Sequence, residues 1–135
     1  MAFFPWDASY SVGIAQIDEQ HKKLFRLVNE LNDAMQAGKA AEVIGGVFTA
    51  LVEYTRTHFA TEERLMSVHA YPDYAGHKRQ HEELTKQAEE LAAKFKQTGI
   101  APTIQVSAFL RDWLKNHILG TDKKYAPYFS SKGVR

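Results

Sequence analysis

Residues 51–65 read LVEYTRTHFATEERL. Leu51, Tyr54, His58, Glu62 and Leu65 recur every three or four positions, and four positions bring a side chain back to within about 40° on an α-helix. A stripe that starts and ends on apolar residues is the buried face of an amphipathic helix. This one carries an imidazole and a carboxylate in its middle, so the interior it faces has to accommodate both.

Three further stripes have the same character. Leu24, Val28, Leu31 and Met35 mark a helix over about 18–37, with Asp18 as N-cap and Gly38 as stop. Ile44 and Val47 extend the quoted stripe back, giving a helix over about 40–67, where the Gly45-Gly46 pair is a candidate kink. Leu84, Ala88, Leu91 and Phe95 give a helix over about 73–97 that ends before Gly99. Val106, Leu110 and Trp113 give one over about 102–119 that opens near Pro102. Residues 1–17, with Pro5 and Gly13 and no helical period, read as an extended arm whose Phe3, Phe4 and Trp6 fold back on the helices. Short connections between four helices of similar length predict an all-α, up-down-up-down antiparallel four-helix bundle in a single domain spanning 1–135.

Each stripe, extended, runs into histidine: His21 on the first helix, His58 and then Glu62 on the second, His81 and His77 on the third, His117 on the fourth. In an antiparallel bundle the start of the first, end of the second, start of the third and end of the fourth share one end, so these side chains converge on one layer of the interior. Burying each uncompensated costs about 1–3 kcal/mol, against a total stability of about 5–15 kcal/mol for a domain. A metal centre offsets that cost by coordination. Imidazole with carboxylate suits iron, zinc, copper or nickel and not an all-oxygen calcium or magnesium site, and six or seven ligands exceed the four of a structural zinc site.

His117 and Asp122, in HILGTD at 117–122, stand five apart and would lie about 140° apart on a regular helix. Gly120 between them allows the chain to tighten, bulge or end. His69, in the second connection, falls outside the pattern and reads as a surface histidine, and Glu63 and Asp112 as solvated charges on helix faces. Asn32, Asn116 and Tyr125 are candidates for a supporting role around the ligands.

Composition narrows the function. Seventeen basic and sixteen acidic residues leave a formal charge of +1, which gives no electrostatic footprint for nucleic acid or an anionic membrane. With no cysteine, disulfides, thiolate zinc sites and iron–sulfur clusters are excluded. MAFFPWDASY, without a basic start followed by an apolar run, does not read as a secretory leader, and no stretch reaches about 18 apolar residues, so the expected location is the cytoplasm.

The ordered set His, His-x3-Glu, His-x3-His, His-x4-Asp resembles the hemerythrins, specifically the single-domain bacterial ones. The likeness begins in PWDASYSVGIAQIDEQHKKL and continues through HFATEERLM, HKRQH and WLKNHILGTDKKY, with no departure at a ligand position. The resemblance implies two iron ions joined by an oxo or hydroxo group. One would be held by His77, His81 and His117, the other by His21 and His58, with Glu62 and Asp122 bridging both. It implies a pocket lined by Phe59, Trp113, Leu114 and Ile118, and reversible dioxygen binding in carriage, storage or delivery rather than enzymatic turnover. The alternatives are an oxygen or redox sensor and an enzyme reducing peroxide or nitric oxide at the same centre. Dioxygen is the expected partner, with an oxygen-consuming client protein beyond it, no nucleic acid and no membrane span, and a monomer as the favoured state.

Overall fold

The computed structural model describes residues 3–98 and 104–135. Among them every regular element is helical: α1 (Ala15–Gln36), α2 (Ala41–Val68), α3 (Tyr74–Thr98), α4 (Ile104–His117) and α5 (Lys123–Ser131). A short 3-10 turn at Ala8–Tyr10 interrupts the arm, and a single π turn, Ile118–Asp122, joins α4 to α5. The first four helices form the antiparallel bundle, with α1 between α2 and α4 and α2 against α3. Gly99 and Pro102, read as a stop and a start, lie outside the described residues, as does the side chain of Val106.

α1 starts a turn earlier than Asp18. Its N-cap is Ile14, which provides no side-chain cap. The Asp18 carboxylate reaches back instead, accepting from the Val12 N–H at 2.9 Å and the Ser11 hydroxyl at 2.5 Å. It thereby satisfies donors in the arm just before the helix. Gly38 ends α1 as expected, at φ +66°, with the Lys39 N–H donating to the Ala34 carbonyl five residues back in the manner of a Schellman turn. α2 runs unbroken through Gly45-Gly46. The absent side chain at Gly45 admits Phe95 of α3, whose ring would lie 2.6 Å from a Cβ there. The arm folds back as expected: Phe4 stacks on Phe25 at 3.8 Å, and Asn29 clasps the Phe4 backbone through bonds of 2.6 and 3.0 Å.

The interior divides into two apolar clusters. The larger, built around Phe4, Leu24, Phe25, Val28, Leu31, Phe48, Leu51, Phe59, Leu110 and Leu114, fills the body of the bundle. The smaller joins Val12, Ile14, Ile17 and Met66 to Tyr125 and Phe129 of α5. α5 is absent from the sequence reading because its apolar residues are out of step with those of α4 and Pro127 stands inside it. It docks on the turn after α2: the Tyr128 hydroxyl donates to the carbonyls of His69 and Ala70. His69 is half-buried there, edge-on to Phe129 at 5.8 Å, and not the free surface histidine its position suggested.

Ala70 ends α2 at φ 53°, a left-handed conformation in which a Cβ costs about 1–2 kcal/mol. Ala70→Gly relieves that and returns part of it as unfolded-chain entropy. The expected net gain is about 0.5–1 kcal/mol in denaturant midpoint analysis; a loss of stability would contradict the strain.

Candidate metal centre

Each of the first four helices supplies one or two polar groups from one or two turns near the same end of the bundle. His21 comes from the second turn of α1, His58 and Glu62 from successive turns of α2, His77 and His81 from the first two turns of α3, and His117 from the last residue of α4. All are buried, His21 completely and His117, at 5% exposure, the least.

Asp122 joins them because of the π turn. The Lys123 N–H reaches the Ile118 carbonyl five residues back, so this one turn takes in an extra residue. Five residues therefore come close to a full turn, and Asp122 Oδ1 lies 3.0 Å from His117 Nε2. Of the three outcomes open at Gly120, the chain bulges.

The approaches divide between the two ends of each carboxylate. Asp122 Oδ1 faces His77 and His117 at 3.1 and 3.0 Å, while Oδ2 faces His21 at 3.1 Å. Glu62 Oε1 lies 2.7 Å from His58 and 3.7 Å from His81, and Oε2 lies 4.0 Å from His77. Two overlapping groups result, each compact enough to hold one ion: Glu62, His77, His81, His117 and Asp122 in one, His21, His58, Glu62 and Asp122 in the other. The carboxylates belong to both.

These atoms lack ordinary partners. All five histidine Nε2 atoms, Glu62 Oε1 and both Asp122 oxygens are buried without a hydrogen bond. They stand close to one another but are not aligned to bond. Buried polar atoms are nearly always satisfied, and eight orphans in one layer have a common solution in coordination. The donor set fits borderline transition-metal ions.

The outward ring nitrogens complete the arrangement. His58 Nδ1–H donates to Gln20 Oε1 at 2.7 Å. The Gln20 amide is itself oriented, its NH2 donating to Thr61 Oγ1 at 3.3 Å while the Thr61 hydroxyl donates to the Thr57 carbonyl at 3.1 Å. His81 Nδ1–H donates to Glu63 Oε2 at 3.1 Å. Both bonds place the ring proton on the outside and leave the Nε2 lone pair facing in, as a metal ligand requires.

Glu63 is therefore not a merely solvated charge. Neither it nor Gln20 lies on a ligand stripe: each stands one residue from a ligand, about 100° round its helix, and bonds to a histidine of the next helix. No spacing rule within one helix finds such residues. Tyr125 does support the ligands, its hydroxyl donating to Glu62 Oε2 at 2.6 Å. Asn116 is exposed, lining a groove of about 530 Å³ between α3 and α4. Asn32 is buried about 16 Å along α1 from His21 at the helical rise. Asp112 is exposed beside Arg111, as expected.

Electrostatics fixes the charge states. Burial and Asp122 push Glu62 up, but His58 and His21 outweigh them and hold its carboxyl below the ordinary value. Asp122 is held well below its ordinary range; burial opposes this, and His117, His21 and His77 prevail. Burial drives His81 down to about 3, so its ring is neutral. His117 moves the other way: burial acts to lower it, and Asp122 beside it prevails. Burial, with Glu62 and Asp122, lifts the Tyr125 phenol well above its ordinary value, so it remains a donor at neutral pH. Burial likewise raises Glu63.

Phe59, Trp113, Leu114 and Ile118 are all buried and share the larger apolar cluster. Phe59 lies flat on the His81 ring at 3.8 Å, and its centroid is 5.4 Å from His117 and 5.9 Å from His58.

Fold and site together define a helical-bundle protein with a buried histidine and carboxylate layer for metal. A family model, the hemerythrin HHE cation binding domain, matches residues 12–129. The chain is 36% identical to a bacteriohemerythrin of Methylococcus capsulatus over 97% of its own length and all of that protein's. It is 39% identical to one of Stenotrophomonas maltophilia, covering 93% of this chain and 81% of the other. A crystal structure of wild-type hemerythrin superposes with a TM-score of 0.88 at 35% identity, covering 93% of this chain and 97% of that one. The chain belongs to the hemerythrin family, and its His/Glu/Asp cluster fits a di-iron site. Among the described residues no helix is long and apolar enough to cross a membrane.

Among the described residues, the Tyr125 phenol makes the one hydrogen bond seen on the two shared carboxylates; Tyr125→Phe removes it, and bonds to charged groups contribute about 1.5–3 kcal/mol. A loss of that size is expected in urea unfolding of the metal-free protein; an unchanged midpoint would show that Glu62 does not depend on the phenol.

Proposed function

We propose that this protein binds dioxygen reversibly at a di-iron centre, in carriage, storage or delivery. The observation that carries this is the division of one buried layer into a three-histidine and a two-histidine set that share Glu62 and Asp122. His77, His81 and His117 would hold one ion, and His21 and His58 the other, with an oxo or hydroxo bridge between them. The unequal sets would give the second ion one histidine fewer than the first. The two ions, when bound, supply the electrons that dioxygen takes up and returns.

The chain's own residues favour binding over turnover. Phe59, Trp113, Leu114 and Ile118 are buried around the ligands, and bulky apolar groups exclude water and with it a ready source of protons. Gln20 and Glu63 fix two of the imidazoles, and Tyr125 retains its proton while donating a hydrogen bond to Glu62. The same phenol also favours a second reading, reduction of peroxide or nitric oxide, because it is a hydrogen-bonded O–H donor inside the cluster.

One experiment separates the two. Iron-loaded protein is reduced without air, exposed to oxygen and then stripped of it while the visible spectrum is followed. Reversible binding gives full recovery over repeated cycles. Rapid one-way oxidation with release of peroxide would instead support turnover or sensing.

Asp122→Ala removes a shared ligand from both sets. Outer groups alone often change metal affinity about 10–100-fold, so loss of a shared ligand should prevent loading of two irons per chain. Normal stoichiometry and an unchanged spectrum would refute the role of Asp122.

A further inference from the structure

The two halves of the cluster differ in what stands behind their imidazoles. In the two-histidine half, His58 is backed by the neutral amide of Gln20 at 2.7 Å, and His21 Nδ1 is buried with no partner. In the three-histidine half, His81 is backed by a carboxylate, Glu63, at 3.1 Å. Among the described residues Glu63 is the one carboxylate seen behind an imidazole. Its side chain is 21% exposed and lines a groove of about 340 Å³ between α2 and α3 together with Arg56 and Lys86. Glu63 is therefore open to solvent, while Phe59 covers the flat face of His81.

The physical consequence is an inequality of donor strength. A carboxylate that accepts a ring N–H draws that proton outward and leaves the opposite nitrogen more basic. An amide oxygen, without net charge, does so more weakly. A more basic nitrogen stabilises a more highly charged ion. We propose that Glu63 sets the reduction potential of the three-histidine half, so that a one-electron oxidant removes the first electron from the iron held by His77, His81 and His117. Gln20 leaves the iron held by His21 and His58 the more easily reduced. The inference rests on the di-iron reading and deepens it: it assigns an order to the two electrons. Glu63 and Gln20 are positioning residues, each acting through a histidine.

The test uses the iron-loaded full chain, Glu63→Gln, Gln20→Glu and the double exchange. Both midpoint potentials are measured by mediated titration. Proton NMR of the half-oxidised protein then counts the ring N–H resonances of the five histidines in the ferric and ferrous ranges. The expected wild-type pattern is three ferric and two ferrous, following the two histidine sets. Glu63→Gln keeps the side chain's shape and removes its charge. It should raise the lower midpoint by about tenfold in the oxidised-to-reduced ratio, 59 mV for one electron, and move the upper one little. Gln20→Glu should lower the upper midpoint, and the double exchange should invert the NMR pattern. Unchanged midpoints in Glu63→Gln, equal shifts of both, or a wild-type pattern of two ferric and three ferrous would each overturn the inference. Wild-type protein that takes up no iron would instead overturn the di-iron reading and this inference with it.

Discussion

The structure depends on the cost of keeping five imidazoles and two carboxylates out of water. Their inward atoms are buried, close together and unbonded, with Asp122 and His21 wholly enclosed. Uncompensated, such a layer would consume much of the stability of a 135-residue domain. Its charges are partly offset within the layer: the two carboxylates stay ionised because histidines face them from four helices. The rest falls to a metal, whose binding free energy is then also folding free energy.

Around this layer the bundle is organised asymmetrically. The larger apolar cluster closes one side with Phe59 against His81 and Trp113 nearby, at 6.2 Å from Phe59. The smaller cluster closes the other, and it exists only because α5 returns to the bundle with Tyr125 and Phe129. The phenol that supports Glu62 therefore belongs to an element whose own seating depends on the turn after α2, through the bonds of Tyr128 to His69 and Ala70. Ligand geometry and chain packing are thus enforced by the same residues.

Much of this is legible in the sequence, because it depends on one period. The four stripes of apolar residues, and the histidines at their ends, share a 3.6-residue repeat, and the antiparallel order of the helices brings those ends together. What is not legible lies where that period fails or where helices meet. The start of α1 is hidden because Asp18, a good N-cap by type, serves the arm from inside the helix. α5 is hidden by the change of period before it. Gln20 and Glu63 are hidden because their partners lie on other helices. Six of the inward residues follow from spacing; Asp122, five residues past His117, enters through the family resemblance and is brought in by the π turn, and Gln20 and Glu63 become visible only where helices meet.

The π turn has a consequence beyond the placement of one carboxylate. On an uninterrupted α-helix continuing from His117, Asp122, Tyr125 and Phe129 would sit about 140°, 80° and 120° away from it, all displaced to the same side. One extra residue in a single turn subtracts about 100° from each and brings all three back toward the interior. The bulge is in effect a phase correction, applied once and inherited by everything after it. Tyr125 and Phe129 are large and almost fully buried, so apolar packing acts to hold the correction in place. Asp122 thus owes its position to hydrophobic burial three and seven residues downstream, and the site can have its shape before it has its metal.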